Sequence, residues 1–168
     1  MADFLPAFER MIRNEGGYKL TDIKGDRGGQ TYAGIARNRW PSWFGWRDID
    51  AGQTPDTELV RQFYRANFWN AVQGDSIASQ HISESLFDFA VNAGVGTAVK
   101  LAQIVAGVTP DGALGQKTLA ALNALDGHGF KIAYALAKIA RYRDIVTHDR
   151  SQQKFLLGWI NRTLREAA

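Results

Sequence analysis

The chain has 168 residues, 45% of them apolar and 22% charged, which fits one compact unit or two small subdomains and lies outside the range of disordered chains. It has no cysteine, which excludes disulfides, thiolate nucleophiles and Cys-type zinc sites, and no run approaching 18 apolar residues, so stable membrane insertion is not expected. The formal net charge is +3, and Gly127 to Ala168 holds eight Lys/Arg against three acids, so an anionic partner (nucleic acid, a lipid surface or a cell wall) competes with the plainer reading of a solvated helix face.

The opening Met1-Ala2-Asp3-Phe4-Leu5-Pro6 lacks the basic and apolar regions of a secretory signal. Asp3 is a helix-capping residue, and Phe4, Leu5, Phe8, Met11, Ile12 and Glu15 follow at helical spacing until Gly16-Gly17 stops the helix. Tyr18 to Tyr32 is rich in Gly, Asp and Thr and reads as loop plus a short hairpin. A short helix is expected from Thr31 to Arg39, ended by Trp40-Pro41. Thr54-Pro55-Asp56 reads as a helix start with Thr54 as cap, continued by Leu59, Val60, Phe63, Tyr64 and Phe68 to about Trp69. Further helices are expected at about 80–93, 96–106, 115–126, 129–148 and 151–165. The fold class is therefore mainly α, with one Gly-rich excursion after the first helix.

Glu15 is the residue to explain. It follows Ile12 by three, Met11 by four and Phe8 by seven, which puts it on the apolar face of its own helix in the last turn. Burial and the negative end of the helix dipole both favour the protonated acid, the form that general acid catalysis at a glycosidic oxygen requires. A Glu at a frayed helix end, pointing to water, is the competing reading. The segment Asp22-Ile23-Lys24-Gly25-Asp26-Arg27-Gly28-Gly29-Gln30-Thr31 offers a second carboxylate and a hydroxyl able to position water, or else an Asp/Gly turn with local caps. It does not fit an EF-hand calcium loop. Trp40, Trp43, Phe44 and Trp46 crowd seven residues and offer either a sugar-stacking wall or core packing. His81, His128 and His148 lack ligand spacing, and no P-loop, dinucleotide fingerprint or Gly-x-Ser-x-Gly elbow is present. No metal, cofactor or nucleic acid is implied.

Taken in order, these segments resemble glycoside hydrolase family 108, the bacterial and phage N-acetylmuramidases. The resemblance rests on Glu15-Gly16-Gly17-Tyr18, Asp26-Arg27-Gly28-Gly29-Gln30-Thr31 and Gly34-Ile35. Asp48-Ile49, Thr54, Tyr64 and Phe68-Trp69 continue it, with Phe68 standing where the family usually has Tyr. Phe87-Asp88-Phe89-Ala90-Val91-Asn92-Ala93-Gly94 matches a further family segment. Beyond it the chain resembles the helical peptidoglycan-binding region of these proteins, at Asp111-Gly112-Ala113-Leu114-Gly115-Gln116-Lys117-Thr118 and Gly158-Trp159-Ile160-Asn161-Arg162.

The resemblance implies a lysozyme-like fold, with a muramidase region at 1–95 and a peptidoglycan-binding helical region at 96–168 packed on it. It implies hydrolysis of the β-1,4 bond between N-acetylmuramic acid and N-acetylglucosamine, with Glu15 as acid and Asp26 and Thr31 assisting. Asp22 is the rival second carboxylate. Substrate contacts are expected from Tyr18, Asp22, Gly28, Gly29, Trp40 and Asn92. A monomer is expected, made in the cytoplasm and acting on wall peptidoglycan after holin- or secretion-linked release, as in phage endolysins. The alternatives are a lytic transglycosylase on the same bond, a chitinase or chitosanase, and a non-catalytic wall-binding or secretion-accessory protein.

Overall fold

The computed structural model describes residues 1–22 and 29–167. They form two compact units, Phe4–Asn70, and Met1–Asp3 with Ala71–Ala168.

In the first unit, α1 (Phe4–Asn14) buries Phe4, Ala7, Phe8, Met11 and Ile12, the three- and four-residue spacing of one helix face. Its end is closed by two glycines in the left-handed region, Gly16 at φ +88° and Gly17 at φ +78°. Gly16 N–H donates to the Arg13 carbonyl (3.2 Å) and Gly17 N–H to the Ile12 carbonyl (2.9 Å). This is a Schellman closure, and it makes Glu15 the last residue of the helix path, with its own N–H bonded to Met11 (3.0 Å).

Three two-residue strands follow: β1 (Leu20–Thr21), β2 (Thr31–Tyr32) and β3 (Ile35–Ala36), antiparallel in that order. The helix expected from Thr31 to Arg39 is instead this β2–β3 hairpin, with Thr31 opposite Ala36 and Tyr32 opposite Ile35. Ala33 (φ +50°) and Gly34 (φ +80°) turn the chain back on itself, as primed hairpin turns require. Pairing Tyr32 with Ile35 buries both.

Next come α2 (Trp46–Asp50), an element not anticipated from the sequence, and α3 (Thr57–Tyr64). Thr54 is not the cap of α3. Asp56 takes that role, accepting from Glu58 N–H at 2.8 Å, and the helix starts one residue later, while Pro55 is buried ahead of it. A π-helical turn, Arg65–Trp69, extends α3 to the expected end. Phe4 meets Trp69 at 5.6 Å, Phe8 meets Tyr64 at 6.0 Å and Trp43 meets Trp46 at 5.2 Å between ring centroids. Each such pair is worth roughly 0.5–1.5 kcal/mol beyond the area it buries.

The second unit holds α4 (Gln80–Ala93), α5 (Val95–Val105), α6 (Gln116–Asn123), α7 (Gly127–His148) and α8 (Gln153–Ala167). Each lies within a few residues of its expected place. Gly94, at φ +88°, ends α4 and starts α5. The boundary drawn from sequence at 95–96 falls at this junction, within the second unit. Buried Gln103 ties the loop before α6. Its amide donates toward Asp111 Oδ1 (2.7 Å), the Ala113 carbonyl (3.0 Å) and Thr118 Oγ1 (3.0 Å), and its carbonyl accepts from Gly112 N–H (2.8 Å). The Asp111–Thr118 motif thus forms a hydrogen-bonded knot that seats α6.

A charged cluster joins α4, α7 and α8. Lys138 Nζ donates to Glu166 Oε2 (2.6 Å), and Arg162 reaches both Glu166 Oε1 (2.9 Å) and Asp88 Oδ2 (3.2 Å). Burial and the neighbouring Glu166 carboxylate push the Asp88 acid up to about 6, against the pull of Arg162 and Lys138. Burial also works to raise Glu166, but Lys138 and Arg162 outweigh it and hold that carboxyl below its ordinary value. Two of the eight basic residues after Gly127, buried Lys138 and part-buried Arg162, are thereby paired with acids, which weakens their contribution to a surface field.

Candidate functional site

Glu15 is half-buried at the end of a helix anchored by five buried side chains. Its stem lies against Gly34. A Cβ added at Gly34 would meet the Tyr64 hydroxyl at 2.5 Å, Glu15 Cβ at 3.4 Å and Glu15 Cγ at 3.5 Å. No side chain fits between the carboxylate stem and the phenol, so the second turn residue must be glycine on both steric and conformational grounds.

Tyr64 fixes the other side of this turn. Its buried hydroxyl donates to the Ala33 carbonyl at 2.8 Å, while Ala33 N–H donates to the Lys19 carbonyl at 3.2 Å. Ala33 is an alanine held at positive φ, a conformation costing on the order of 1–3 kcal/mol that persists only where the surroundings impose it. Burial, and then the Glu15 charge, push the Tyr64 phenol far up, so its hydroxyl stays a donor at every working pH. Helix end, strained turn and buried phenol thus form one rigid support for Glu15. Such support favours a working side chain over a frayed one. In the sequence, Tyr64 and Gly34 stand out only as positions that match the family. The Gly-Ile pair after Thr31 is the readable trace of the turn, and nothing in the sequence points to a left-handed Ala33.

The other expected site residues divide. Thr31 sits half-buried on β2, with its Oγ1 3.4 Å from the Gly29 carbonyl. Gly29 adopts φ +64°, and a Cβ there would press on the Asn38 side chain at 3.1 Å. Tyr18 and Asp22 are exposed on either side of β1 in sequence. Asp26 and Gly28 lie outside the described residues. Asn92 is exposed on α4, in the second unit.

The tryptophan-rich stretch serves mainly as core. Trp43 and Trp46 are buried, and the Trp46 indole N–H donates to the Trp40 carbonyl at 2.8 Å. Trp40 is only half-buried, edge-on to Phe63 at 4.9 Å. With exposed Phe44 it borders an open pocket of about 330 Å³ that also presents Ser42, Gln62 and Asn67. Aromatic faces beside amide and hydroxyl groups suit a sugar ring, which shows C–H bonds on its faces and hydroxyls at its rim.

Comparison with known proteins bears on this arrangement. Residues 8–94 match the family model described as Glycosyl hydrolase 108, and residues 97–164 match the one described as Predicted Peptidoglycan domain. The solved structure of Brucella abortus SagA is similar to this chain at 28% identity with a TM-score of 0.75, over 98% of this chain and 91% of that one. No curated protein matches.

Proposed function

The chain belongs to the glycosyl hydrolase 108 family, and from that premise we propose an N-acetylmuramidase in which Glu15 is the general acid. Its fold is mainly α and lysozyme-like, and it is a glycoside hydrolase directed at peptidoglycan. Glu15 protonates the oxygen linking N-acetylmuramic acid to N-acetylglucosamine in the β-1,4 bond. Asp26 supports the developing oxocarbenium charge or, with Thr31, orients the attacking water; Asp22 is its rival for that role. A carboxyl separation of about 5–5.5 Å makes the reaction retaining, and one of about 6.5–9.5 Å makes it inverting. Trp40 and its pocket hold a flanking sugar, with Tyr18, Gly28 and Gly29 as further contacts.

The observation that carries this reading is the seating of Glu15 between the helix closure and the Tyr64-bound turn. A wall-binding protein without chemistry would have no use for a carboxylate so supported. A monomer that reaches the wall by holin- or secretion-linked release, as in phage lysis, completes the proposal.

Glu15→Gln tests it. Glutamine is nearly isosteric but delivers no proton, and general acid catalysis is worth about 10²–10⁴-fold. Wall-clearing activity should fall by at least that factor, with sedimentation on insoluble peptidoglycan and thermal midpoint retained. More than about a tenth of wild-type turnover would be less than the smallest general-acid effect and would remove Glu15 from the role. Mass spectrometry of wild-type digests should show reducing N-acetylmuramic acid ends. Anhydro-muropeptides would make it a transglycosylase, and reducing N-acetylglucosamine a glucosaminidase.

A further inference from the structure

Within the second unit, α5 and α7 enclose an open groove of about 510 Å³. Leu101 and Ile104 line it from α5, and Ala137, Ala140 and Ile145 from α7. The groove is apolar on its α5 side, while along α7 Arg141, Asp144 and His148 stand about one helical turn apart beside Ala140 and Ile145. Two of those three have partners. The exposed Arg143 guanidinium holds Asp144 Oδ1 (2.6 Å), and His148 Nδ1 lies 2.7 Å from the Asp144 carbonyl. Arg141 differs: it is half-buried, and among the described residues its guanidinium has neither a hydrogen bond nor an ion pair. A guanidinium not engaged within the chain is available to an anion in the groove, which its planar fork binds through two parallel hydrogen bonds.

We propose that this groove is a binding site for the peptide stem of peptidoglycan, with Arg141 clamping one of the stem's carboxylates. This rests on the reading of the chain as a peptidoglycan hydrolase, and the whole groove lies within the residues that match the peptidoglycan domain. The chemistry separates stem from glycan. Sugar rings present hydroxyl and acetamide groups, which need a polar lining. In the polymer the lactyl carboxyl is consumed in its amide link, so the free carboxylates sit on the peptide. A stem peptide offers alanine methyls for the Ala137, Ala140 and Ile104 surface. Its carboxylates match the planar fork of an arginine, which binds them through two parallel hydrogen bonds. Its diamino acid brings an ammonium toward Asp144.

The probe is a synthetic stem tetrapeptide of alanine, γ-linked glutamate, a diamino acid and alanine, titrated into the full chain. Methyl chemical shifts of Leu101, Ile104 and Ile145 should move saturably, and the same peptide with its carboxylates amidated should bind at least about tenfold more weakly. Arg141→Gln should weaken the free peptide by a similar factor and slow digestion of intact peptidoglycan, while leaving hydrolysis of peptide-free glycan strands unchanged. Tetrapeptide binding that leaves those methyls unmoved, or equal binding of the amidated form, overturns the inference. So does saturation of the groove by a glycan oligomer or by a glycerol-phosphate polymer, and so does self-association that moves the same methyls. Failure to cleave peptide-free glycan would instead strike the muramidase reading and leave the peptide titration to stand on its own.

Discussion

Replacing Gly34 by alanine should damage the chain in two separable ways. The first is conformational: an L-residue at φ +80° costs about 1–2 kcal/mol. The second is contact, because the new methyl would lie 2.5 Å from the Tyr64 hydroxyl and 3.4 Å from Glu15 Cβ. Gly52 provides the control. It sits in the same unit at φ +73°, and a methyl added there would meet nothing within 4 Å, so Gly52→Ala carries the conformational cost alone. The difference in unfolding free energy between the two variants should be about 1–3 kcal/mol, the usual cost of overpacking, and a chain of this size shifts its thermal midpoint by about 2–4 °C per kcal/mol. Hydrolysis should separate them further. A displacement of about 1 Å in a working group costs on the order of 10²-fold, so Gly34→Ala should lose at least that much turnover and Gly52→Ala almost none. Tyr64→Phe on its own removes one bond to the Ala33 carbonyl and should cost about 1–3 kcal/mol. Combined with Gly34→Ala it also removes the obstructing oxygen, so the double variant should be more stable than the sum of the singles predicts, by at least about 0.5 kcal/mol. Urea unfolding and a peptidoglycan turbidity assay on all five proteins read this out. Strict additivity, together with equal hydrolysis by the two alanine variants, would refute the account of how Glu15 is held.

The Asp88 acid, raised to about 6, binds a proton in the folded chain that the unfolded chain releases near pH 4, so its contribution to stability should decline as pH rises from about 4 to about 6. Asp88→Asn should remove that slope in thermal midpoints measured across the range, and an unchanged slope would place its origin elsewhere. Glu166, held low, acts in the opposite sense: its contribution should be lost as pH falls below the ordinary carboxylate range, and Glu166→Gln should flatten the acid limb. The Tyr32 hydroxyl is buried without a partner among the described residues, so Tyr32→Phe should leave the thermal midpoint level or raise it, and a fall would reveal a bond to ordered water. Sedimentation on walls should weaken with salt through exposed basic residues such as Arg150 and Lys154, whose fields are screened beyond about 8 Å at physiological ionic strength; salt-independent sedimentation would leave those residues as solvated surface.

The long helices of the second unit were legible because their apolar periodicity is strong and their ends carry Gly or Asp. Asp126, for example, caps α7 by accepting from Gly129 N–H. Glu15 was legible for the same reason, since its offsets from Phe8, Met11 and Ile12 are fixed by the helix. The hairpin at Thr31–Ala36 was hidden because Ala33 adopts a conformation that alanine seldom takes. It is held there by bonds from distant parts of the chain, the Tyr64 hydroxyl on the Ala33 carbonyl and the Lys19 carbonyl on the Ala33 N–H, together with local pairing. The Asp88, Lys138, Arg162 and Glu166 cluster was hidden too. Three of its members looked like ordinary surface charge on amphipathic helices, and their burial depends on how α4, α7 and α8 pack. The tryptophan cluster was readable as two alternatives, and the structure gives most of it to the core while leaving Trp40 at a pocket.

Placing Glu15 at the last position before a Schellman closure makes the spacing of α1 a matter of phase. Each residue added or removed between Ile12 and Glu15 would turn Glu15 by about 100° about the helix axis relative to the buried stripe, which ends at Ile12. Gly16 and Gly17 would still close the helix, and the chain would still fold around Phe4 and Phe8. The Glu15 stem, however, would no longer lie against Gly34. A one-residue length change in this helix should therefore cost hydrolysis far more than it costs folding, a separation that few point substitutions could produce.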